Sequence, residues 1–89
     1  MALKFDGLDD AIIGFCTQGS NKARVAYDYD RIVDIFIEQG MTEDEAAEYV
    51  GFNVLGAWMG EETPVVVTLM RAEDTLQMFA EEEEEETRQ

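Results

Sequence analysis

The stretch that most constrains the fold runs from Met41 to Val67, "MTEDEAAEYVGFNVLGAWMGEETPVVV". Thr42 followed by Glu45 is a capping box. A threonine hydroxyl and a glutamate three residues later can each satisfy an amide that the first helical turn leaves without a partner. Met41 and Ala46 stand where a hydrophobic staple would close around that start. Ala46, Ala47, Val50, Val54, Ala57 and Trp58 continue an inward face, so the pattern predicts a helix from Thr42 to about residue 55. Gly51, Gly56 and Gly60 interrupt it, each costing roughly 1 kcal/mol against alanine inside a helix. Gly51 and Gly56 are expected to admit a close neighbour, and Gly56 or Gly60 to end the helix. Pro64, the only proline, then precedes the β-branched run "VVVTLM", which reads as a strand.

Upstream, Leu8, Ala11, Ile12 and Phe15 fall at i, i+3, i+4 and i+7. That spacing predicts a first helix capped by Asp6, with Asp9 and Asp10 in its first turn. "TQGSNKAR" reads as a loop and "RVAYDY" as a short strand. Tyr29, Ile32, Val33 and Phe36 form a second helical stripe, capped by Asp28 or Asp30 and closed by Gly40. At the end, Ala72, Leu76, Phe79 and Ala80 repeat at helical spacing before six consecutive glutamates, Glu81 to Glu86. These elements imply an α+β chain: a small domain of three to four helices packed on a short two-stranded antiparallel sheet. Residues 1–80 form the globular unit. Residues 81–89 form an acidic tail, frayed or disordered, because glutamates at a helix C-terminus oppose its dipole and repel one another.

Eighty-nine residues support one modest core, and 46% hydrophobic composition suits a folded chain. Acids number 21 against six bases, a net charge of −15. Without residues 81–89, 15 acids still face five bases, so the acidity belongs to the whole domain. Direct nucleic-acid binding is disfavoured, because phosphate contacts need Lys and Arg. The charge either serves only to keep a small protein soluble or favours association with basic surfaces, including those of nucleic-acid-binding proteins. The opening "MALKFDGLDD" carries acids where a secretory leader needs apolar residues, and no apolar run is long enough to span a bilayer. Cys16 is alone, which excludes an intrachain disulfide and suits a reducing cytoplasm.

With no histidine, one cysteine and one serine (Ser20), the chain cannot assemble Ser–His–Asp or Cys–His catalysis, nor a zinc site of Cys and His. No phosphate-binding glycine motif is present. Asp28, Asp30 and Asp34 suggest calcium, but an EF-hand starting at Asp28 would place Val33 and Gln39 where glycine and glutamate are required. The expectation is therefore a non-enzymatic protein with no cofactor and no metal. Tyr27, Tyr29, Tyr49, Phe52 and Trp58 are expected in the core. An exposed Phe52 or Trp58 would instead mark an interface.

Tyr27 to Asp30 (Y-D-Y-D), Met41 to Tyr49 (M-T-x-x-E-A-x-E-Y) and Phe52 to Pro64 (F-N-x-x-G-A-W-x-G-E-x-T-P) together resemble a group of short uncharacterised proteins from tailed-bacteriophage genomes. "DDAIIG" at 9–14 also fits, whereas the glutamate tail departs from the group. The resemblance brings no assigned activity. It implies a host bacterial cytoplasm and, by association with other small acidic phage proteins, a host nucleic-acid-binding or defence protein as partner, engaged by DNA mimicry. The candidate interaction surface comprises Asp34, Glu38, Glu43, Asp44, Glu48, Glu61 and Glu62, with Glu81, Glu82, Glu83, Glu84, Glu85 and Glu86 of the tail. The alternative is a small structural or assembly protein that self-associates, as a homodimer, through Phe52, Trp58 and the "VVVTL" strand.

Overall fold

A computed structural model describes residues 3–17 and 22–87, the last five of these by backbone alone. Its elements are β1 (Ile12–Cys16), β2 (Arg24–Asp28), α1 (Tyr29–Glu38), α2 (Glu43–Val50), β3 (Val65–Val67) and α3 (Ala72–Thr87). A 3₁₀ turn, Asp9–Ala11, precedes β1, and a π-helical turn, Gly51–Leu55, extends α2. The chain is α+β, with a three-stranded mixed sheet in the order β1-β2-β3.

Where a first helix was expected, the chain makes the 3₁₀ turn and then β1. Leu8 and Ala11 are buried, but Ile12 and Phe15 are exposed, so the four residues do not share a face. Two adjacent β-branched residues, Ile12 and Ile13, favour extended backbone. Gly14 at φ +148° occupies a region open mainly to glycine, and the register shifts between Ile12 and Gly14 as in a β-bulge. Asp6 consequently caps no helix. The rest of "TQGSNKAR" flanks residues 18–21, which lie outside the described residues, as does Ser20.

Strands β1 and β2 are antiparallel, with Ile12 opposite Tyr27 and Phe15 opposite Val25. The expected pairing of "RVAY" with "VVV" is present, but parallel: Ala26 opposes Val65 and Tyr27 opposes Val66. The intervening helices carry the chain back to the end at which β2 began, and a crossover of that kind returns a strand in the same direction.

Two of the three predicted helix starts are found. Asp28 Oδ1 accepts the Asp30 amide at 3.1 Å to begin α1. At α2, Thr42 Oγ1 accepts the Glu45 amide at 3.2 Å, while Glu45 Oε1 accepts the Thr42 amide at 2.9 Å. Gly40, at φ +108°, follows α1 in the left-handed conformation expected past a helix end. Ile32, Val33 and Ile35 of α1 meet Ala46, Val50 and Val54, with Leu8, Ala11 and Tyr27 completing the core. Rows spaced by four residues drift about 40° per step around an α-helix. The wider π turn lessens that drift and keeps Val54 buried behind Ala46 and Val50.

Thr63 anchors the turn into β3. Its hydroxyl accepts the Met59 amide at 2.7 Å and donates to the Gly60 carbonyl at 2.6 Å, from a buried position. Gly60, at φ +99°, supplies the left-handed residue of this turn.

Helix α3 runs through residue 80 without a break and carries Glu81 to Glu86 as helix. Among its described side chains only Thr75 is partly covered, while Leu76, Met78 and Phe79 are exposed. It therefore adds no layer to the core. The radius of gyration, 15.1 Å, exceeds the roughly 12 Å expected of a compact chain this long.

Candidate functional site

The α1–α2 hairpin concentrates the acid. Residues 28–48 hold eight acids against one base, Arg31. Asp30, Asp34 and Glu38 follow one another at i, i+4 and i+8 along α1, and Asp44 and Glu48 do the same on α2. Like charges at this spacing destabilise a helix by roughly 0.2–0.5 kcal/mol per pair. Neither helix has a basic residue in its last turn to offset its dipole. Helix stability alone does not account for such a choice of residues.

The hairpin brings part of this charge together. An open groove of about 310 Å³ lies between the helices, with Val33, Ile37 and Ala47 beside Tyr29, and Asp30, Asp34 and Glu43 supplying carboxylates. A second groove, of about 350 Å³, flanks α2 and is lined by Met41, Tyr49, Phe52 and Asn53 with Glu45 and Glu48. Each combines an apolar floor with carboxylates and contains no cation. An arginine or lysine has the complementary form, an aliphatic stem bearing a charged head. Among the described residues no three acidic or cysteine side chains come close enough to hold a metal ion. These carboxylates are spread as a charged surface, which suits attraction over an area more than chelation.

Of the expected interaction residues, Asp34, Glu43, Asp44, Glu48 and Glu61 are exposed and form no ion pair among the described residues. Glu38 is engaged within the chain: Arg31 donates to it at 2.8 Å, and this bond raises the Arg31 pKa further above its usual range. Glu62 is half-buried, 3.3 Å from Lys22. Glu81 and Glu82 are exposed on α3, some way along the chain from the hairpin, and the side chains of Glu83, Glu84, Glu85 and Glu86 lie outside the described residues. Asp30 and the apolar groove floor were missed from sequence. In the sequence Asp30 stands out as a helix cap or a calcium candidate, although its place one turn before Asp34 is equally visible.

Glu45 has a structural duty. Its hydrogen bonds with the Thr42 amide and hydroxyl lower its pKa below the ordinary glutamate value.

The aromatic residues divide differently from the expectation. Tyr27 is fully buried, its hydroxyl accepting the Phe5 amide at 2.9 Å and its ring 5.1 Å from that of Phe5. Tyr49 packs against Phe36 at 4.9 Å. Phe52 and Trp58, expected in the core, are 77% and 74% exposed. The four-residue row Ala46–Val50–Val54 fills the interior side of the helix, which turns Phe52 outward. Among the described residues a Cβ at Gly51 would meet nothing within 4 Å, whereas one at Gly56 would lie 3.1 Å from the Phe52 carbonyl oxygen, so of the two only Gly56 admits a close neighbour.

No family model, no curated protein sequence and no solved structure matches the chain. Among the described residues no helix is long and apolar enough to cross a membrane.

Proposed function

We propose that this chain is a non-enzymatic binding protein that engages a basic surface of a host nucleic-acid-binding or defence protein by occupying the region where nucleic acid would lie. The observation that carries this reading is the α1–α2 face, where Asp30, Asp34 and Glu43 surround an apolar groove and Asp44 and Glu48 extend the charge along α2. The sequence resemblance to small phage proteins supports the host setting. Attraction would be electrostatic, with Arg and Lys of the partner laid along the hairpin, so affinity falls steeply as salt rises.

The test begins with the immobilised chain and nuclease-treated bacterial lysate at 50 and 500 mM NaCl. Proteins retained only at low salt are then purified and bound to labelled duplex DNA. Addition of the chain is expected to release the DNA. The combined variant D34N/E43Q/D44N/E48Q is expected to compete at least about 4-fold less well, at about 0.2–1 kcal/mol for each of four exposed pairs. Retained proteins that keep their DNA at saturating chain, or a variant that competes as well as wild type, would overturn the proposal.

A further inference from the structure

One side of the sheet ends in β3, and that edge is open. The run "VVVTLM" has strand character throughout, yet only Val65–Val67 is paired, because β2 stops at Asp28 where α1 begins. Val67, Thr68, Leu69 and Met70 are exposed. Among the described residues no hydrogen bond reaches the backbone of Leu69 or Met70. Folded proteins guard such an edge with charged side chains, proline, a bulge or a covering segment. The opposite edge, β1, has a bulge between Ile12 and Gly14. Apart from Pro64 at its head, the β3 edge shows none of these devices among the described residues, and no charged side chain follows until Arg71.

We infer that β3 takes an added strand from another protein, an extended segment with an apolar centre and lysine or arginine at both ends. Charge decides the occupant. Residues 63–70 are uncharged, and acids bracket them: Glu61 and Glu62 before, Glu73 and Asp74 after. Each end keeps an acid in excess. Lys22 meets Glu62 at the first, and Arg71 bonds Glu73 and Asp74 at the second. Eight extended residues span about 26 Å, at about 3.3 Å each, so the basic groups of the incoming segment would stand about that far apart. A second copy laid antiparallel along β3 would instead set Glu61 and Glu62 beside Glu73 and Asp74 of its partner. A segment with basic ends meets acids at both, whichever way it runs. Main-chain hydrogen bonds then supply the attachment, and the basic ends the selection.

The inference uses the sheet edge and not the α1–α2 face, so it and the proposed function can fail separately. The variant D34N/E43Q/D44N/E48Q, which weakens the helical face, is expected to leave binding at β3 within about 2-fold of wild type, because none of its four residues lies at either end of the strand.

The experiment follows the amide NMR spectrum of the full chain as a synthetic peptide, acetyl-Lys-Arg-Val-Thr-Val-Thr-Val-Arg-Lys-amide, is added up to about 1 mM in 50 mM NaCl. Saturable shifts centred on Val65 to Met70 are expected, with slowed exchange at Leu69 or Met70. Successive amides of a strand point to opposite edges, so L69P/M70P removes whichever of the two faces outward and leaves the Val65–Val67 pairing in place. Circular dichroism should show this variant folded, and it is expected to bind at least about 5-fold more weakly, the effect of one backbone hydrogen bond. The same loss is expected for wild type with a peptide whose central valine is proline, which keeps the charge and removes a donor. A peptide with glutamate at its four basic positions is expected to bind at least about 10-fold more weakly. Absence of saturable shifts, or shifts centred on the α1–α2 hairpin or on β1, overturns the inference. Equal binding by the proline peptide, by the glutamate peptide or by L69P/M70P also overturns it. So does a dimer in sedimentation velocity that L69P/M70P dissociates, since a second copy then holds the edge.

Discussion

Replacing Thr63 with valine tests how the chain delivers β3 to the sheet. Valine matches threonine in shape, so the substitution removes a hydroxyl without opening a cavity. Two hydrogen bonds disappear, the 2.7 Å bond from the Met59 amide and the 2.6 Å bond to the Gly60 carbonyl. The Gly60 carbonyl keeps the Thr63 backbone amide, at 3.1 Å, whereas the Met59 amide loses its acceptor. Each lost bond is worth about 0.5–1.5 kcal/mol, and an amide left unsatisfied adds to the loss. The expected total is about 2 kcal/mol. For a domain of this size that lowers Tm by about 8–16 °C. Thermal melts at micromolar concentration would measure it, with Thr63→Ser as the control that retains the hydroxyl. Amide exchange at Val65–Val67 should accelerate in T63V, because the turn that positions this short strand is loosened. A T63V melt within about 2 °C of wild type, or a T63S variant as unstable as T63V, would refute the hydroxyl's role in the turn.

Two further outcomes follow from burial and from the helix cap. Ile32→Ala, at a fully buried position, should cost about 2–5 kcal/mol, whereas Trp58→Ala, at a 74% exposed one, should change monomer stability by no more than about 0.5 kcal/mol; urea denaturation at low protein concentration would compare them, and equal losses would return Trp58 to the core. The Glu45 pKa is lowered on folding, so its contribution is complete above the ordinary glutamate range and is lost as pH falls through the depressed folded value. The stability difference between wild type and Glu45→Ala should therefore be largest near neutrality and shrink in acid, and a difference that stays constant with pH would contradict the capping geometry.

The elements legible in the sequence are those specified by neighbours along the chain. Asp28 with Asp30, and Thr42 with Glu45, bond across two or three residues, so the starts of α1 and α2 follow from spacing alone. Gly40 in the left-handed region and the Gly60–Pro64 turn are local in the same sense. The stripe from Leu8 to Phe15 misled because helical spacing and a bulged strand can place apolar residues at the same positions. What decided between them was pairing with β2, some ten residues on, together with the conformation open to Gly14. The acidic hairpin was visible as composition, yet its grooves were not, since the floor of Val33, Ile37 and Ala47 exists only once two helices pack.

The sequence by itself determined the α+β class, the capped helices, the turn into β3 and the charge of −15, because each depends on local bonding or on counting. Only the tertiary structure decided that β2 and β3 run parallel, that Glu38 and Glu62 are taken up by Arg31 and Lys22, and that Phe52, Trp58, Leu76 and Phe79 face outward. Those outcomes depend on which surfaces compete for a small interior. In this chain aliphatic residues at four-residue spacing fill it, and the large aromatic surfaces of Phe52 and Trp58 remain exposed.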